Sequence, residues 1–388
     1  MAARGPVTAA PRAAAPALYA AIAAIALVGV GLSLTVPLIA VRMEAAGYSA
    51  QANGASTALA GVATLLVSPM APTFVRRLGA RVTLSGSICV CAVALVALAL
   101  VDDLDWWFPL RFVFSAALSL VFVVSEYAVS ALAPPDRRGF WIGVYSTCLG
   151  VGFVLGPVIL GLVGADGGAA FFIAAGVCLV AGAPIAFLGG ALPGLAHTAR
   201  VNVFAMMARA PVLMMAALVF GAVETGVMGL LPVHALRNGY DAQTGALFVA
   251  CIALGNALFQ MPIGLVADRM AKPRLLAAIA ALGAAGAVAL AALTPLPSPF
   301  AALLCVWGGV VSGLYMVGLA ELGARYDGGE LAAANAAFVM FYATGMLGGP
   351  PLLGMGVDVS PRFGLFVGLS VALALYFALA LGRLREDR

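Results

Sequence analysis

Charge is what this sequence has least of. Of its 388 residues only 9% are Asp, Glu, Lys or Arg, where a soluble domain carries roughly 25%. A chain so poor in charge cannot clothe a water-facing surface, so its main solvent is lipid. Lysine is almost missing: nineteen of the twenty basic residues are arginine and Lys272 stands alone. With the excess of alanine and glycine, this bias reflects genomic base composition rather than function. Histidine is limited to His197 and His234, and neither faces a serine or metal-ligand set, which argues against an intramembrane enzyme. No Walker pattern is present, so nucleotide hydrolysis is not expected as an energy source. The six cysteines (89, 91, 148, 178, 251 and 305) lie inside apolar runs. Cys89-x-Cys91 lacks the spacing and histidine partners of a zinc site, so the cysteines read as small buried hydrophobes. No metal or cofactor is expected, and a net charge of +4 gives no sign of nucleic acid.

What is abundant is apolar length: 64% of the residues are hydrophobic. A membrane-spanning helix takes about 20 such residues. Uncharged stretches run 13–41, 45–75, 82–101, 139–165, 242–267, 331–357 and 363–382, and 167–199 carries nothing ionisable but His197. The stretch 275–320 is split by the Thr294-Pro-Leu-Pro-Ser-Pro299 turn. Two further runs are as apolar but contain charge: 107–132 holds Arg111 and Glu126, and 210–233 holds Glu224. Together they predict an all-α protein of twelve spans with short loops. With both termini cytoplasmic, sixteen basic residues fall in inside segments and only Arg42, Arg237 and Arg362 in outside loops, which sets that orientation. The first run is too long for a cleaved signal and is read as retained.

The chain repeats itself. Gly47-Tyr48-Ser49-Ala50-Gln51 after span 1 matches Gly239-Tyr240-Asp241-Ala242-Gln243 after span 7, an offset of 192. Gly152-x3-Gly156-Pro157-x3-Gly161 in span 5 matches Gly345-x3-Gly349-Pro350-x3-Gly354 in span 11, an offset of 193. Pro37 answers Pro232 near the ends of spans 1 and 7. Two parallel six-helix halves follow, the arrangement of one class of secondary transporters. The expected organisation is a tail 1–16, an N-terminal bundle 17–190, a linker 191–209, a C-terminal bundle 210–384 and a tail 385–388.

These features resemble the major facilitator superfamily over the whole length, most nearly a YcaD-like branch. Gly264-Leu-Val-Ala-Asp268-Arg269 between spans 8 and 9 resembles the family's G-x-x-x-D-R loop. Gly143-x8-Gly152-x3-Gly156-Pro157-x2-Leu160-Gly161 resembles the span-5 motif of drug/proton antiporters, with Leu160 in place of a glycine. The resemblance implies that spans 5 and 11 lie where the halves meet. The first-half loop departs from the pattern: in Pro72-x3-Arg76-Arg77-Leu78-Gly79-Ala80-Arg81 the expected acid is Arg76 and the leading glycine is Pro72. In the family that acid lies by the start of span 11, where a helix N-terminus welcomes an anion. Here span 11 supplies its own acid, Glu330. The expectation is a charge swap on the inner face, with Arg76 or Arg77 near Glu330 and Asp268 near Arg137 or Arg138 when that face is closed. Arg269 belongs to the same loop.

Ionisable groups inside spans are costly in lipid and mark function by default. Glu224 sits mid-span in span 7 with no base in its own span, so any partner comes from another helix. Glu126 (span 4) and Glu321 (span 10) lie 195 apart near the inner ends of their spans. Arg325, four residues after Glu321, makes a favourable pair with it. Arg111 near the outer end of span 4 resembles the family's span-4 arginine and either binds an anionic group or reaches the headgroups. Asn256 and Gln260 share a face of span 8; Tyr145, Tyr315, Asn335 and Tyr342 complete the polar set. The expected function is a proton-coupled secondary active transporter of a small organic molecule, monomeric, in the bacterial inner membrane, with export favoured by the antiporter-like motif. The alternative is proton-linked import of a small polar or anionic metabolite anchored by Arg111.

Overall fold

The structure is a computed structural model and describes residues 11–134, 137–188, 192 and 203–386. Fourteen α-helices and no strand occur among the described residues: α1 (Pro11–Ala45), α2 (Ala50–Val67), α3 (Ala71–Leu78), α4 (Ala80–Leu100), α5 (Trp107–Leu132), α6 (Arg138–Val163), α7 (Ala169–Leu188), α8 (Val203–Arg209), α9 (Pro211–Arg237), α10 (Ala242–Arg269), α11 (Lys272–Leu293), α12 (Pro297–Arg325), α13 (Gly328–Val359) and α14 (Gly364–Glu386). Twelve spans are long and apolar enough to cross a membrane. Span 2 is α2 and α3 joined by a 3-10 turn at Ser68–Met70, where Pro69 and Pro72 each remove a backbone donor. The uncharged run 45–75 therefore holds more than one helix. The expected tail 1–16 and linker 191–209 lie largely outside the described residues, and α8 occupies the linker's end.

The repeated Gly-Tyr motif is a helix stop followed by a helix start. Gly47 (φ 83°) and Gly239 (φ 87°) take the left-handed conformation that ends helices cheaply only at glycine. The next amides reach back, Tyr48 N–H to the Met43 carbonyl and Tyr240 N–H to the Ala235 carbonyl. Ser49 then accepts from the Ala52 amide and Asp241 from the Thr244 amide, capping α2 and α10. Hydrogen bonds from the Thr244 side chain and then its amide hold the Asp241 carboxyl below its ordinary pKa.

The buried side chains form two clusters. One runs from Leu18 to Ile185 with Ala246, the other from Met206 to Ala380 with Ala40 and Ala50. Helix α6 packs along α1 in its own half and α10 in the other; α13 packs along α9 and α2. Spans 5 and 11 thus do lie where the halves meet. Their motif glycines, however, mostly face inward to their own half. A Cβ on Gly152 would stand 2.4 Å from the Ala26 carbonyl oxygen, and one on Gly156 2.0 Å from Ser33 Oγ. On α13, Gly345 abuts the Leu218 carbonyl and Gly349 abuts Ala222 of α9. Only Gly161, beside Gln243, and Gly354, beside the Ala50 carbonyl, reach across. Lipid offers no hydrophobic drive between helices, so such close approach supplies the packing.

Candidate transport site

One end of the bundle is tied shut across the halves. Arg237, at the end of α9, donates from Nε to Glu44 Oε1 at 2.6 Å and from Nη1 to Asp358 Oδ1 at 2.8 Å. Asp358, at the end of α13, also accepts from the Ala50 and Gln51 amides at the start of α2, at 2.8 and 2.9 Å. One guanidinium thereby joins the ends of α1, α2, α9 and α13. The close backbone approaches between halves lie toward this end: Gly54 against Pro350, Gly61 against Ala343 and Leu347. Toward the other end Gly143 and Gly264 meet nothing within 4 Å. Arg42 joins the same tied face by donating to the Gly167 carbonyl at 2.6 Å. There too the Tyr48 hydroxyl donates to Asp105 at 2.9 Å, and that carboxylate raises the phenol's pKa.

Beneath the tied end lies Arg111, 3% exposed. It donates to Ser56 Oγ at 3.2 Å and Thr57 Oγ1 at 3.1 Å on α2 and has no ion pair among the described residues. Snorkelling to headgroups does not describe this burial. One turn earlier on α2, Asn53 donates to the Ala40 carbonyl while its Oδ1 is buried without a partner among the described residues.

Deeper, the acids and tyrosines picked from the sequence converge. Tyr342 of α13 donates its hydroxyl to Glu224 Oε2 of α9 at 2.6 Å, the partner from another helix that Glu224 required. Tyr315 of α12 sets its ring edge-on to Tyr342, with centroids 5.4 Å apart, and also packs on Phe220 and Phe338. The Tyr315 phenol lies within electrostatic range of both Glu224 and Glu126, and Tyr145 of α6 within that of Glu126. Carboxylates from the two halves therefore bear on one tyrosine. Glu126 is exposed on α5. Tyr145 is buried, and its hydroxyl meets no hydrogen-bond geometry among the described residues.

The remaining candidates scatter. Glu321 is bound by Arg325 at 2.6 Å, the i,i+4 pair read from the sequence, and by Lys272 at 3.7 Å. It joins α12 to α11 and does not enter the acid–tyrosine cluster. Asn256 is half-buried, its Oδ1 unpartnered among the described residues; Gln260 is exposed, and Asn335 is half-buried. On the face away from the tie, Glu330 accepts from Arg209 at 2.7 Å and Arg76 donates to Thr73. Neither Arg76 nor Arg77 reaches Glu330 among the described residues; the swap was expected where this face is closed. Asp268, Arg269 and Arg137 are exposed, and the Arg138 side chain lies outside the described residues. Two clefts, of about 450 and 420 Å³, are apolar grooves lined by residues such as Tyr19 and Pro184, or Val158 and Leu247. Neither holds a carboxylate.

Sequence reading missed the tie itself. Glu44 and Arg237 flank the two copies of the Gly-Tyr stop, so opposite charges at matching helix ends were the available signal. Asp358 had none beyond its place at the end of span 11.

The sequence profile of the Major Facilitator Superfamily matches residues 21–255 and again 213–388. This chain belongs to that superfamily. The transporter is 25% identical over 364 residues to the uncharacterized MFS-type transporter YfkF of Bacillus subtilis, covering 92% of each chain. Among solved structures, a bacterial homologue of the lysosomal transporter Spinster, inward-facing and unoccupied, superposes with a TM-score of 0.76 at 14% identity, covering 98% of this chain and 99% of that one. The nucleoside transporter NupG does so at 0.71 and 15%, covering 97% and 99%. At such identities these structures speak for the fold alone. The protein is thus a multi-pass membrane transporter of the major facilitator fold, and its relatives carry transporter names.

Proposed function

We propose that this protein is a proton-coupled secondary active transporter, exporting a small organic molecule across the bacterial inner membrane by alternating access, as a monomer with both termini in the cytoplasm. The observation that carries this is Glu224, an acid inside a span, hydrogen-bonded to Tyr342 within the cluster on which both halves converge. An ionisable group at that depth is costly unless it works. The Arg237 tie supports a resting arrangement with the outer face closed and the cluster reached from the inside. Breaking the tie while the inner ends of α2, α6, α10 and α13 approach each other is the alternate arrangement, so one site meets each side in turn. Export rests on the antiporter-like glycine motif of α6, a family analogy.

Import of an anionic metabolite has its own supporting observation in Arg111, a buried guanidinium held by hydroxyls and no acid.

The test is Glu224→Gln in everted vesicles. Flux driven by a pH gradient is expected to vanish while cargo exchange without a gradient persists. Normal gradient-driven flux in that variant would make the acid structural.

A further inference from the structure

Two carboxylates occupy the central cluster without a counter-ion. Glu224 accepts from the Tyr342 hydroxyl at 2.6 Å, and no cationic side chain forms an ion pair with either Glu126 or Glu224 among the described residues. The bases inside or at the ends of neighbouring spans have other partners: Arg111 donates to Ser56 and Thr57, and Arg325 and Lys272 bind Glu321. Around the acids stand aromatic faces. Tyr315 lies within electrostatic range of both, its ring 5.4 Å from that of Tyr342 and 5.7 Å from that of Phe220, and Phe220 stacks on Tyr342 at 6.1 Å. Acids without bases, walled by π-faces, attract one chemical class. An aromatic face draws a cation through its quadrupole, and a desolvated carboxylate draws it more strongly. An anion or a sugar finds neither its charge partner nor a dense set of donors there.

We propose that the cargo is a small organic cation with an apolar body, held between Glu126 and Glu224 against the rings of Tyr315 and Tyr342. This rests on the proton-coupled reading above and gives it a cause. A proton and an organic cation neutralise the same carboxyl groups, so each excludes the other. Entry of the cation from the inner side releases the carboxyl protons to that side. After the cation leaves on the outer side, the carboxylates take up protons there and carry them back. Coupling as antiport follows from competition at one site.

The test uses the full chain in lipid nanodiscs and two ions of the same shape and opposite charge, tetraphenylphosphonium and tetraphenylborate, with binding measured above that of empty nanodiscs. Saturable binding of tetraphenylphosphonium that weakens as pH falls, and no saturable binding of tetraphenylborate, is the expected result. Glu126→Gln and Glu224→Gln, each checked for folding by its thermal melt, are expected to bind the cation about tenfold or more weakly. Tetraphenylborate binding as tightly as the cation, or both folded variants keeping full cation affinity, would overturn the proposal. The comparison of the two ions on the unmodified protein needs no variant to fold. Cation binding without proton release into a weakly buffered medium would uphold the cargo class and defeat the coupling. Gradient-driven flux that Glu224→Gln abolishes, with no cation binding, would do the reverse.

Discussion

A single methyl group separates a tolerated change from a damaging one along α6. At Gly156 a Cβ would press to 2.0 Å from Ser33 Oγ and 2.5 Å from the Leu34 amide nitrogen. Ser33 has little room to yield, since its hydroxyl donates to the Gly152 carbonyl at 3.0 Å. At Gly143 a Cβ meets nothing within 4 Å. Gly156→Val is therefore expected to push α6 off α1 and to lower the melting temperature in detergent, since overpacking costs about 1–3 kcal/mol, while Gly143→Ala leaves the melt unchanged. Equal melting of the two variants would remove the close-approach role. The glycine pattern was legible because four-residue spacing fixes which residues share a helix face. What that face meets was not, because periodicity carries no information on the neighbouring helix; hence the glycines of spans 5 and 11 seat mainly on α1 and α9. The same limit applied to Glu224: depth in its span and the need for an outside partner were readable, Tyr342 was not.

At the scale of elements, the ends of four helices depend on Arg237. Its side chain is 19% exposed, and those of Glu44 and Asp358 are 16% and 28% exposed, so this is neither a solvated surface pair nor a fully buried one. Surface pairs contribute about 0–1 kcal/mol, and hydrogen bonds to charged groups about 1.5–3 kcal/mol each. A tie with two such carboxylate partners, one of them also capping α2, is worth a few kcal/mol, and about 1.4 kcal/mol is tenfold in a two-state equilibrium. Arg237→Ala is expected to open this face. The measurement is maleimide labelling of Ser56→Cys, which lies fully buried beneath the tie, in a background with the six native cysteines replaced. Labelling about tenfold faster or more in Arg237→Ala is the expected outcome; an unchanged rate would mean that helix packing alone keeps the face shut. The helices that form this tie were readable as spans from apolar length. Their closure was not, because Arg237 and Glu44 stand in loops by composition and 193 residues apart in sequence.

For the whole molecule the question is which face is which. The tied face gathers the turns at 46–49, 102–106, 164–168, 238–241 and 360–363, linked by Tyr48 to Asp105, Arg42 to Gly167 and Asn238 to Pro361. These turns hold Asp102, Asp103 and Asp105, with Arg42, Arg237 and Arg362 at or beside them. Arg76, Arg77, Arg81, Arg137, Arg209, Arg269, Lys272, Arg274 and Arg325 belong to the opposite helix ends. That segregation was legible in the sequence, because an even number of spans per half returns both repeats to the same face and leaves basic residues to accumulate there. Basic loops resist translocation, so the face with the tie is expected outside. Alkaline phosphatase, which folds only in an oxidising compartment, is expected to be active when fused after Asp103 and inactive when fused after Arg200. The opposite pair of activities would place the Arg237 tie on the cytoplasmic side. The Glu126–Glu224 cluster would then open outward in this arrangement, and the direction of the proposed exchange would reverse with it.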